Sequence, residues 1–520
     1  MNKNGLIYDV EDKPKLSKLL VFALQQVLAI MAATIAVPTI IGLPMQIPAA
    51  LLGAGIGTIV YLLFTRFKSP VFLGSSFAFL NSLFVATTFG YCGILVGSIF
   101  AGLVYVALAI IIHFAGTNWV SKLMPPVIIG PTVALIGLSL AGSAMGDIVK
   151  ASGASIHGTY NLVGLFCGLV AFITIVICSS QKKYKSMKLI PFIIGIGAGY
   201  LAASLFSIFG YALDVDYLKI INWSPLVDNF VKNGEFTGIT AFLDYPRFGL
   251  VEAIKEMSTG KAGIEGASIL TGAGVAEVAI AFIPVALVVF AEHIADHKNL
   301  GSIIGRDLVE GEPGLKRTLL GDGVGSIAGT IFGICPNTTY GESVGCVAIT
   351  KNASVRSIFV AALMCIALSF ISPIMSLLRT IPSCVMGGVC LTLYGFIAVS
   401  GLKMFKNIDL GENKNLFTVS AILISGIGGL AIQIPYALNG DGSVAKTITI
   451  TSIATALILG ICVNAIMNAI EKKNADIPED GEEAPESLIA GAVAPEADFA
   501  LKGDNAEEEV AAESEAPKAE

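Results

Sequence analysis

Long apolar runs separated by short polar connections fill almost the whole chain. They fall near residues 17–38, 46–65, 71–88, 91–115, 126–146, 160–180, 188–212, 272–294, 316–333, 338–350, 354–378, 384–401, 416–436 and 443–470. A helix needs about 20 residues to cross the hydrocarbon of a bilayer, and most of these runs reach that length, so the pattern predicts fourteen membrane segments. Two of them are irregular in the same way. The third opens on Pro70, Val71, Phe72, Leu73, Gly74, Ser75, Ser76 and Phe77, an extended, Gly/Ser-interrupted stretch ahead of its apolar half. The tenth follows Cys335, Pro336, Asn337, Thr338, Thr339, Tyr340 and Gly341. Pro336 and the β-branched and aromatic residues after it favour extended backbone. Gly341 permits a tight change of direction. What remains, Ser343 to Thr350, is too short to span.

The irregular segments lie seven apart, and fourteen divides into seven plus seven. An odd number per half makes the second half enter from the opposite face, the inverted-repeat design of secondary transporters, in which paired broken segments mark the binding site. Two half-helix N-termini would meet near the midplane, offering backbone N–H groups and positive dipole ends. The cations set the orientation. Arg66, Lys68, Lys122, Lys182, Lys183, Lys185, Lys188, Lys298, Arg306, Lys316, Arg317, Lys351, Arg356, Lys403, Lys406, Lys414, Lys472 and Lys473 fall in connections on one side. The short connections on the other side hold only Lys150, Arg379 and Lys446. The positive-inside rule places both termini in the cytoplasm and the long connection 213–271 outside.

Composition narrows the class. The chain of 520 residues is 54% hydrophobic and 14% charged, against about 25% charged in soluble proteins. Its mean hydropathy is +0.79. It reads as a polytopic protein of the cell membrane, with no nucleic-acid signature. The net charge of −7 comes from residues 474–520, which hold 15 acids and two lysines. That tail has the composition of a disordered segment. The N-terminus, 1–16, is too charged for a cleaved signal peptide. Nine scattered cysteines show neither zinc nor disulfide spacing and read as small buried hydrophobes.

Candidate chemistry lies inside the apolar runs. Glu342 stands at the start of the short helix after Gly341, at membrane depth, where an ionisable residue is a functional candidate. In the eighth segment the uninterrupted apolar run Val278–Ala291 is too short to span, so Glu292 is expected within the membrane with the helix running on. Glu292 and Asp296 then share one helix face, and His293 and His297 another. His293 and His297 with Asp296 between them are similar to an inverted zinc-protease motif. The remaining histidines, His113 and His157, supply no third ligand, and neither metal nor cofactor is expected. Asp322, between Gly321 and Gly323, reads as a cap or backbone tie where the ninth segment opens or is interrupted. Gln25 and Gln26 suit interhelical hydrogen bonds, and Ala29, Ala32 and Ala33 let helices or a flat ligand approach closely.

Taken together, these residues resemble the uracil permease branch of the nucleobase–ascorbate transporter family over roughly 15–470. The resemblance rests on Leu24, Gln25 and Gln26 with Ala33 and Pro38; on Leu73 to Phe79; on Glu292, His293 and Ile294; on Gly321, Asp322 and Gly323; and on Pro336 to Glu342 with Gly345, Thr350 and Lys351. It implies an all-α polytopic fold of fourteen segments as two inverted seven-segment repeats, with short antiparallel strands in segments 3 and 10. It implies a core domain (17–115 and 272–378) and a gate domain (126–212 and 384–470), alternating access, proton symport and a homodimer. By motif position Glu292 and Glu342 would be the substrate-binding carboxylates. The backbones at Phe77 and Gly341, with Ala33 and Tyr340 nearby, would complete the pocket. Three positions depart from the usual family pattern: Gln26 and Asp296 where histidine is common, and Ser343 where asparagine is usual. The first two bear on the proton path and the third on the substrate.

Uracil is flat, neutral and edged with alternating N–H and C=O groups. Carboxylates accept from the former, and backbone N–H groups donate to the latter. Two carboxylates in one dry cavity repel when both are ionised and so favour holding a proton, which points to Glu292 and Asp296, with His293, for proton coupling. The expectation is a proton-coupled uracil importer, with a purine carrier (xanthine, hypoxanthine, guanine or urate) of the same fold as the alternative. An anion carrier of this architecture would want a cation facing the half-helices.

Overall fold

The computed structural model describes residues 5–43, 46–149, 160–181, 183, 187, 190–232, 234–438 and 444–475. Met1–Met467 form one compact unit and Asn468–Glu520 a second. The acidic tail beyond 475, and Lys150, Lys182, Lys185 and Lys188, lie outside the described residues.

The element order is α1 (Leu16–Ile40), α2 (Ile47–Phe64), β1 (Leu73–Ser75), α3 (Leu80–Thr87), α4 (Gly90–Ala115), α5 (Asn118–Leu123), α6 (Pro126–Ser139), α7 (Ala141–Ile148), α8 (Leu162–Ser180) and α9 (Pro191–Ala212). The long connection contains α10 (Ser224–Phe230), β2 (Val231–Lys232), β3 (Glu235–Phe236) and α11 (Gly249–Thr259). Then follow α12 (Gly272–Ile304), α13 (Leu315–Phe332), β4 (Asn337–Thr339), α14 (Gly341–Thr350), α15 (Val355–Ser369), α16 (Ser372–Arg379), α17 (Ser383–Leu402), α18 (Asn413–Ile427), β5 (Ile432–Leu438), β6 (Val444–Ile450) and α19 (Ser452–Ala475).

In hydrocarbon each backbone N–H and C=O needs a partner within the protein, so apolar runs rich in β-branched residues become helices despite their modest propensity. Their ends carry ordinary signals. Pro48, Pro126 and Pro191 sit in first turns. The Asn161 side chain accepts from Val163 N and Gly164 N, both at 2.9 Å. Gly305 closes α12 with φ 68°.

Among the described residues, nine helices are long and apolar enough to cross a membrane. Of the other apolar runs, α13 equals α2 in length but is less apolar, the rest are shorter helices, and two of these, α3 and α14, follow strands. The thirteenth and fourteenth runs differ from expectation. Instead of helices over 416–436 and 443–470, α18 stops at Ile427, and β5 and β6 form an antiparallel hairpin from Ile432↔Ile450 to Leu438↔Val444. Gly428 and Gly429, the latter with φ 74°, end α18. The β-branched alternation in both strands then favours extended backbone, which hydropathy alone does not distinguish from helix.

Helix packing rests on glycine. A Cβ on Gly53 or Gly57 of α2 would collide with the backbone of Gly329 or Gly325 of α13. Small residues at four-residue spacing on both helices therefore bring the two backbones together. On the N-terminal face a strap of residues 7–12 ties down the connection after α14. Ile7 N donates to Lys351 O at 2.7 Å, Val355 N to Val10 O at 3.0 Å, and Arg306 pairs with Asp9 at 3.3 Å. Lys68 and Glu312 pair on the same face.

The opposite face is held by Glu256 of α11. Its buried carboxylate accepts from Tyr91 N (2.9 Å), Cys92 N (2.8 Å) and Gly263 N (2.7 Å). It caps the first turn of α4, where orphan amides and the helix dipole favour an anion. Gly90, with φ 68°, leaves room for it. The long connection is thereby bonded to the helical body. Glu256→Ala should cost about 3 kcal/mol of stability. A thermal-unfolding assay of the solubilised protein checks this, and an unchanged midpoint would remove Glu256 as the anchor.

Candidate functional site

The two broken segments meet. β1 pairs antiparallel with β4 in the register Leu73↔Thr339, Gly74↔Thr338 and Ser75↔Asn337. The ladder is extended by Tyr340 N to Phe72 O (3.1 Å) and Ser76 N to Pro336 O (3.0 Å). Neighbouring side chains satisfy what remains. Thr58 Oγ1 accepts from Leu73 N at 2.9 Å, Ser326 Oγ accepts from Asn337 N at 3.0 Å, and Asn337 Nδ2 donates to Gly53 O at 2.9 Å. The Tyr340 hydroxyl donates to Ser75 O at 2.9 Å, and its ring lies where a Cβ on Gly74 would be. Tyr340 is therefore a strut beneath β1 as well as a neighbour of the site.

Beyond this crossing the chain enters the half-helices α3 and α14. No side chain caps either of them, so the first-turn amides of α14, at Gly341, Glu342 and Ser343, lack intrahelical partners. Gly341 is exposed and Glu342 half-buried, which makes the start of α14 the edge of an opening. Ser343 Oγ accepts from Phe72 N at 3.1 Å and is also bonded by Gln26 Nε2. Two of the three positions that depart from the family pattern are thus bonded to each other, and they tie α1, the entry to β1 and α14 together.

α12 runs unbroken for 33 residues through the charged cluster. It begins at Gly272, ahead of Glu277, and continues past Glu292 to Ile304. Asp296 is buried; its Oδ2 accepts from Thr339 Oγ1 at 2.8 Å, and its Oδ1 lies 3.7 Å from where a Cβ on Gly341 would stand. Glu292 is half-buried, its Oε2 enclosed and without a hydrogen-bond partner among the described residues. Glu342 is within electrostatic reach of both Glu292 and Asp296. The fold therefore brings Glu292, Asp296, Glu342 and Gly341 together. Phe77, just past β1, meets the ring of Tyr394 of α17 edge-on, with centroids 5.4 Å apart. Ala33 is buried in α1, which packs on β1, α14 and α17.

The two histidines stack, with centroids 4.1 Å apart, but bond in different directions. Thr318 donates its hydroxyl hydrogen to Leu315 O at 3.0 Å, so toward His293 Nε2, also at 3.0 Å, it accepts. His293 Nδ1 and Asp322 Oδ2, 2.7 Å apart, then share one proton whichever atom holds it, and the pair is neutral as a unit. His297 Nδ1 donates to His293 O at 2.7 Å, and its Nε2 lies 2.7 Å from the Tyr61 hydroxyl, itself 2.7 Å from Ser69 Oγ. Among the described residues no cluster of three or more His, Cys, Asp or Glu could hold a metal ion.

This corrects the reading of Asp322. α13 is continuous from Leu315 to Phe332, so Asp322 is neither a cap nor a backbone tie but the side-chain partner of His293. An acid inside an apolar run was the available signal. Tyr61 and Tyr394, also unforeseen, sit in apolar runs with nothing to mark them.

A mostly helical polytopic protein whose two broken segments cross beside buried carboxylates belongs to the transporter class. The family profile Xan_ur_permease, described as "Permease family", matches residues 17–434. The chain is 35% identical to a uracil permease of Bacillus caldolyticus, covering 89% of this chain and 95% of that protein. It is 35% identical to one of Bacillus subtilis (92% and 99%) and 31% identical to one of Escherichia coli (89% and 94%). Its fold is similar to the transmembrane domain of a cyanobacterial bicarbonate transporter, BicA, at TM-score 0.52 and 13% identity, covering 88% of this chain and 99% of that one. It is also similar to murine solute carrier 26 member A9, an anion transporter, at TM-score 0.58 and 11% identity, covering 89% and 69%. The chain belongs to the permease family of nucleobase–ascorbate transporters.

The shared-proton geometry predicts how α12 responds to substitution. In Asp322→Asn the amide can donate to His293 Nδ1 and keep the same tautomer. Asp322→Leu strands that nitrogen, a loss of about 1–3 kcal/mol. Thermal unfolding should place Asn near the parent and Leu well below it. Equal losses would show that the pair must be charged.

Proposed function

We propose that the protein imports uracil across the cell membrane together with a proton. The observation that carries this reading is the meeting of Glu292, with its enclosed Oε2, and Glu342 at the uncapped start of α14. Carboxylates there accept from the N–H groups of a neutral base, and the amides at Gly341 to Ser343 donate to its carbonyls. The relatives named uracil permeases favour uracil over a purine. The solved structures of similar fold belong to anion transporters by their titles, but the opening here is edged by Glu292, Asp296 and Glu342, which repel an anion. A ligand that lacks one of the matched groups leaves a buried partner unsatisfied and is rejected.

In this reading the chain forms fourteen membrane segments as two inverted repeats, with both termini cytoplasmic. The core domain (17–115 and 272–378) carries the crossing strands and α12. The gate domain (126–212 and 384–470) presents Tyr394 to Phe77. Uracil binds Glu292 and Glu342 with the backbones at Gly341 and Phe77, beside Ala33 and Tyr340, and the core moves against the gate to alternate access. Glu292 and Asp296 carry the coupled proton. His293, committed to Asp322 and Thr318, holds α12 in place for them. Two copies form a homodimer.

Radiolabelled uracil uptake in a uracil-transport-deficient host should be abolished by a protonophore; protonophore-insensitive uptake would remove the proton. Glu342→Gln converts an acceptor-only group into a mixed donor and acceptor, and calorimetric uracil affinity should fall about 10- to 100-fold. An unchanged affinity takes Glu342 out of the site. Asp296→Asn removes the repulsion between the two carboxylates of α12, so in proteoliposomes the pH profile of uptake should move toward acid with substrate binding retained. An unmoved profile places the coupling elsewhere.

A further inference from the structure

The strap on the N-terminal face joins two helix ends that bear on the substrate opening. Leu6, just ahead of it, and Val10 within it are each only 1% exposed and belong to the hydrophobic core. Between them the backbone runs parallel to the connection after α14, with Tyr8 bridged to Asn352. Ile7 N (2.7 Å) and Tyr8 N (3.3 Å) both donate to Lys351 O, Ala353 N donates to Tyr8 O at 2.9 Å, and Val355 N to Val10 O at 3.0 Å. Ser354 Oγ donates to Asp12 O at 2.7 Å. Lys351 closes α14 and Val355 opens α15. The strap thus supplies partners for a carbonyl and an amide that the helix ends leave over.

Lys351 stands at φ 58°, in the left-handed region that a residue with a Cβ enters at a cost. Such backbone persists where its surroundings hold it, and the two strap amides on its carbonyl do so. The strap also reaches α12. Gly305 N and Arg306 N both return to Gly301 O, which fixes Arg306 to the last turn of that helix. The Arg306 guanidinium meets Asp9 at 3.3 Å and Glu11 at 3.6 Å. Partly exposed ion pairs contribute little, so burial of Leu6 and Val10 and the backbone bonds carry the docking. The strap therefore ties together the far ends of α12, which carries Glu292 and Asp296, and of α14, which carries Glu342. Glu342 lies about 14 Å along the helix from Lys351. No side chain caps the Glu342 end of α14, so the strapped end is the one held from outside.

We propose that the N-terminal strap is a positioning clip for the transport site. Docked, it holds α12 and α14 at the spacing at which Glu292 and Glu342 bind one base; undocked, it lets α14 drift from that spacing. This rests on the reading of those two carboxylates as the uracil site. Undocking lowers affinity by the fraction of molecules in which the spacing is lost, and by linkage uracil favours the docked strap. The test combines hydrogen–deuterium exchange with calorimetric uracil titration of the purified full chain, its Val10→Asp variant and the conservative Val10→Ile. In the parent, uracil should slow exchange at Ile7, Tyr8 and Ala353. Val10→Asp should speed exchange through residues 343–355 by about tenfold, leave α8 and α9 at the parent rate, and weaken uracil binding about three- to tenfold. Val10→Ile should do none of these. If Val10→Asp fails to fold, Ile7→Pro decides, because the Ile7 side chain is exposed and proline removes the amide that donates to Lys351 O. The clip is overturned if strap exchange ignores uracil, if exchange over 343–355 is unchanged or rises equally in α8 and α9, or if uracil affinity holds while that exchange rises. A parent chain that binds no uracil sinks the uracil reading instead, and exchange over 343–355 alone then judges whether the strap holds α14.

Discussion

Extended backbone cannot stand alone inside a bilayer, because water is not there to satisfy its N–H and C=O groups. Each of the two broken segments supplies what the other lacks. The strand pair Leu73–Ser75 with Asn337–Thr339 satisfies the inner edges, and Thr58, Ser326 and Asn337 attend to groups the ladder leaves over. The glycine contacts between α2 and α13 follow from the same constraint. Asn337 reaches Gly53 O only because Gly53, Gly57, Gly325 and Gly329 let those helices close on one another. Filling any of these positions would open the cradle that holds the strands.

Once the strands are held, the half-helices have to begin at the crossing, and a half-helix that begins there without a cap leaves its amides pointing at whatever occupies the opening. α12 completes the arrangement. Its 3.6-residue period puts Asp296 against Thr339 and Gly341 while His293 and His297 turn to α13 and α2. One side of the helix is thus bolted by neutral hydrogen-bonded groups, and the carboxylates on the other are held beside the start of α14. Preorganised acceptors and donors of this kind lose little entropy on binding.

Much of this was legible in the chain. The two extended, Gly-interrupted stretches were marked as breaks by their composition, the family resemblance implied that they pair as strands, and both strands lie in those stretches. Glu342 after Gly341 marked the start of a short helix, and the expectation that the helix of the eighth segment runs on through Glu292 holds. Other features were not legible. Hydropathy could not tell the β5–β6 hairpin from membrane helix, because both are apolar and β-branched. The partner of Asp322 was hidden because His293 lies 29 residues away in the chain, and Tyr394 because a tyrosine in an apolar run reads as packing.

The sequence by itself determined most of the apolar stretches that form long helices, and the two, at Leu73–Ser75 and Asn337–Thr339, that break from helix. Length, hydropathy and backbone restriction are local properties and act wherever a residue is placed. It also determined which ionisable groups stand inside those apolar stretches. The tertiary structure alone decided which of those groups meet. The register that sets Thr339 opposite Leu73, the bond between Gln26 and Ser343, and the approach of Glu342 to Glu292 and Asp296 all join positions tens to hundreds of residues apart. Such meetings arise from how closely helices can pack and where buried polar groups find partners, and those conditions exist only once the chain has folded.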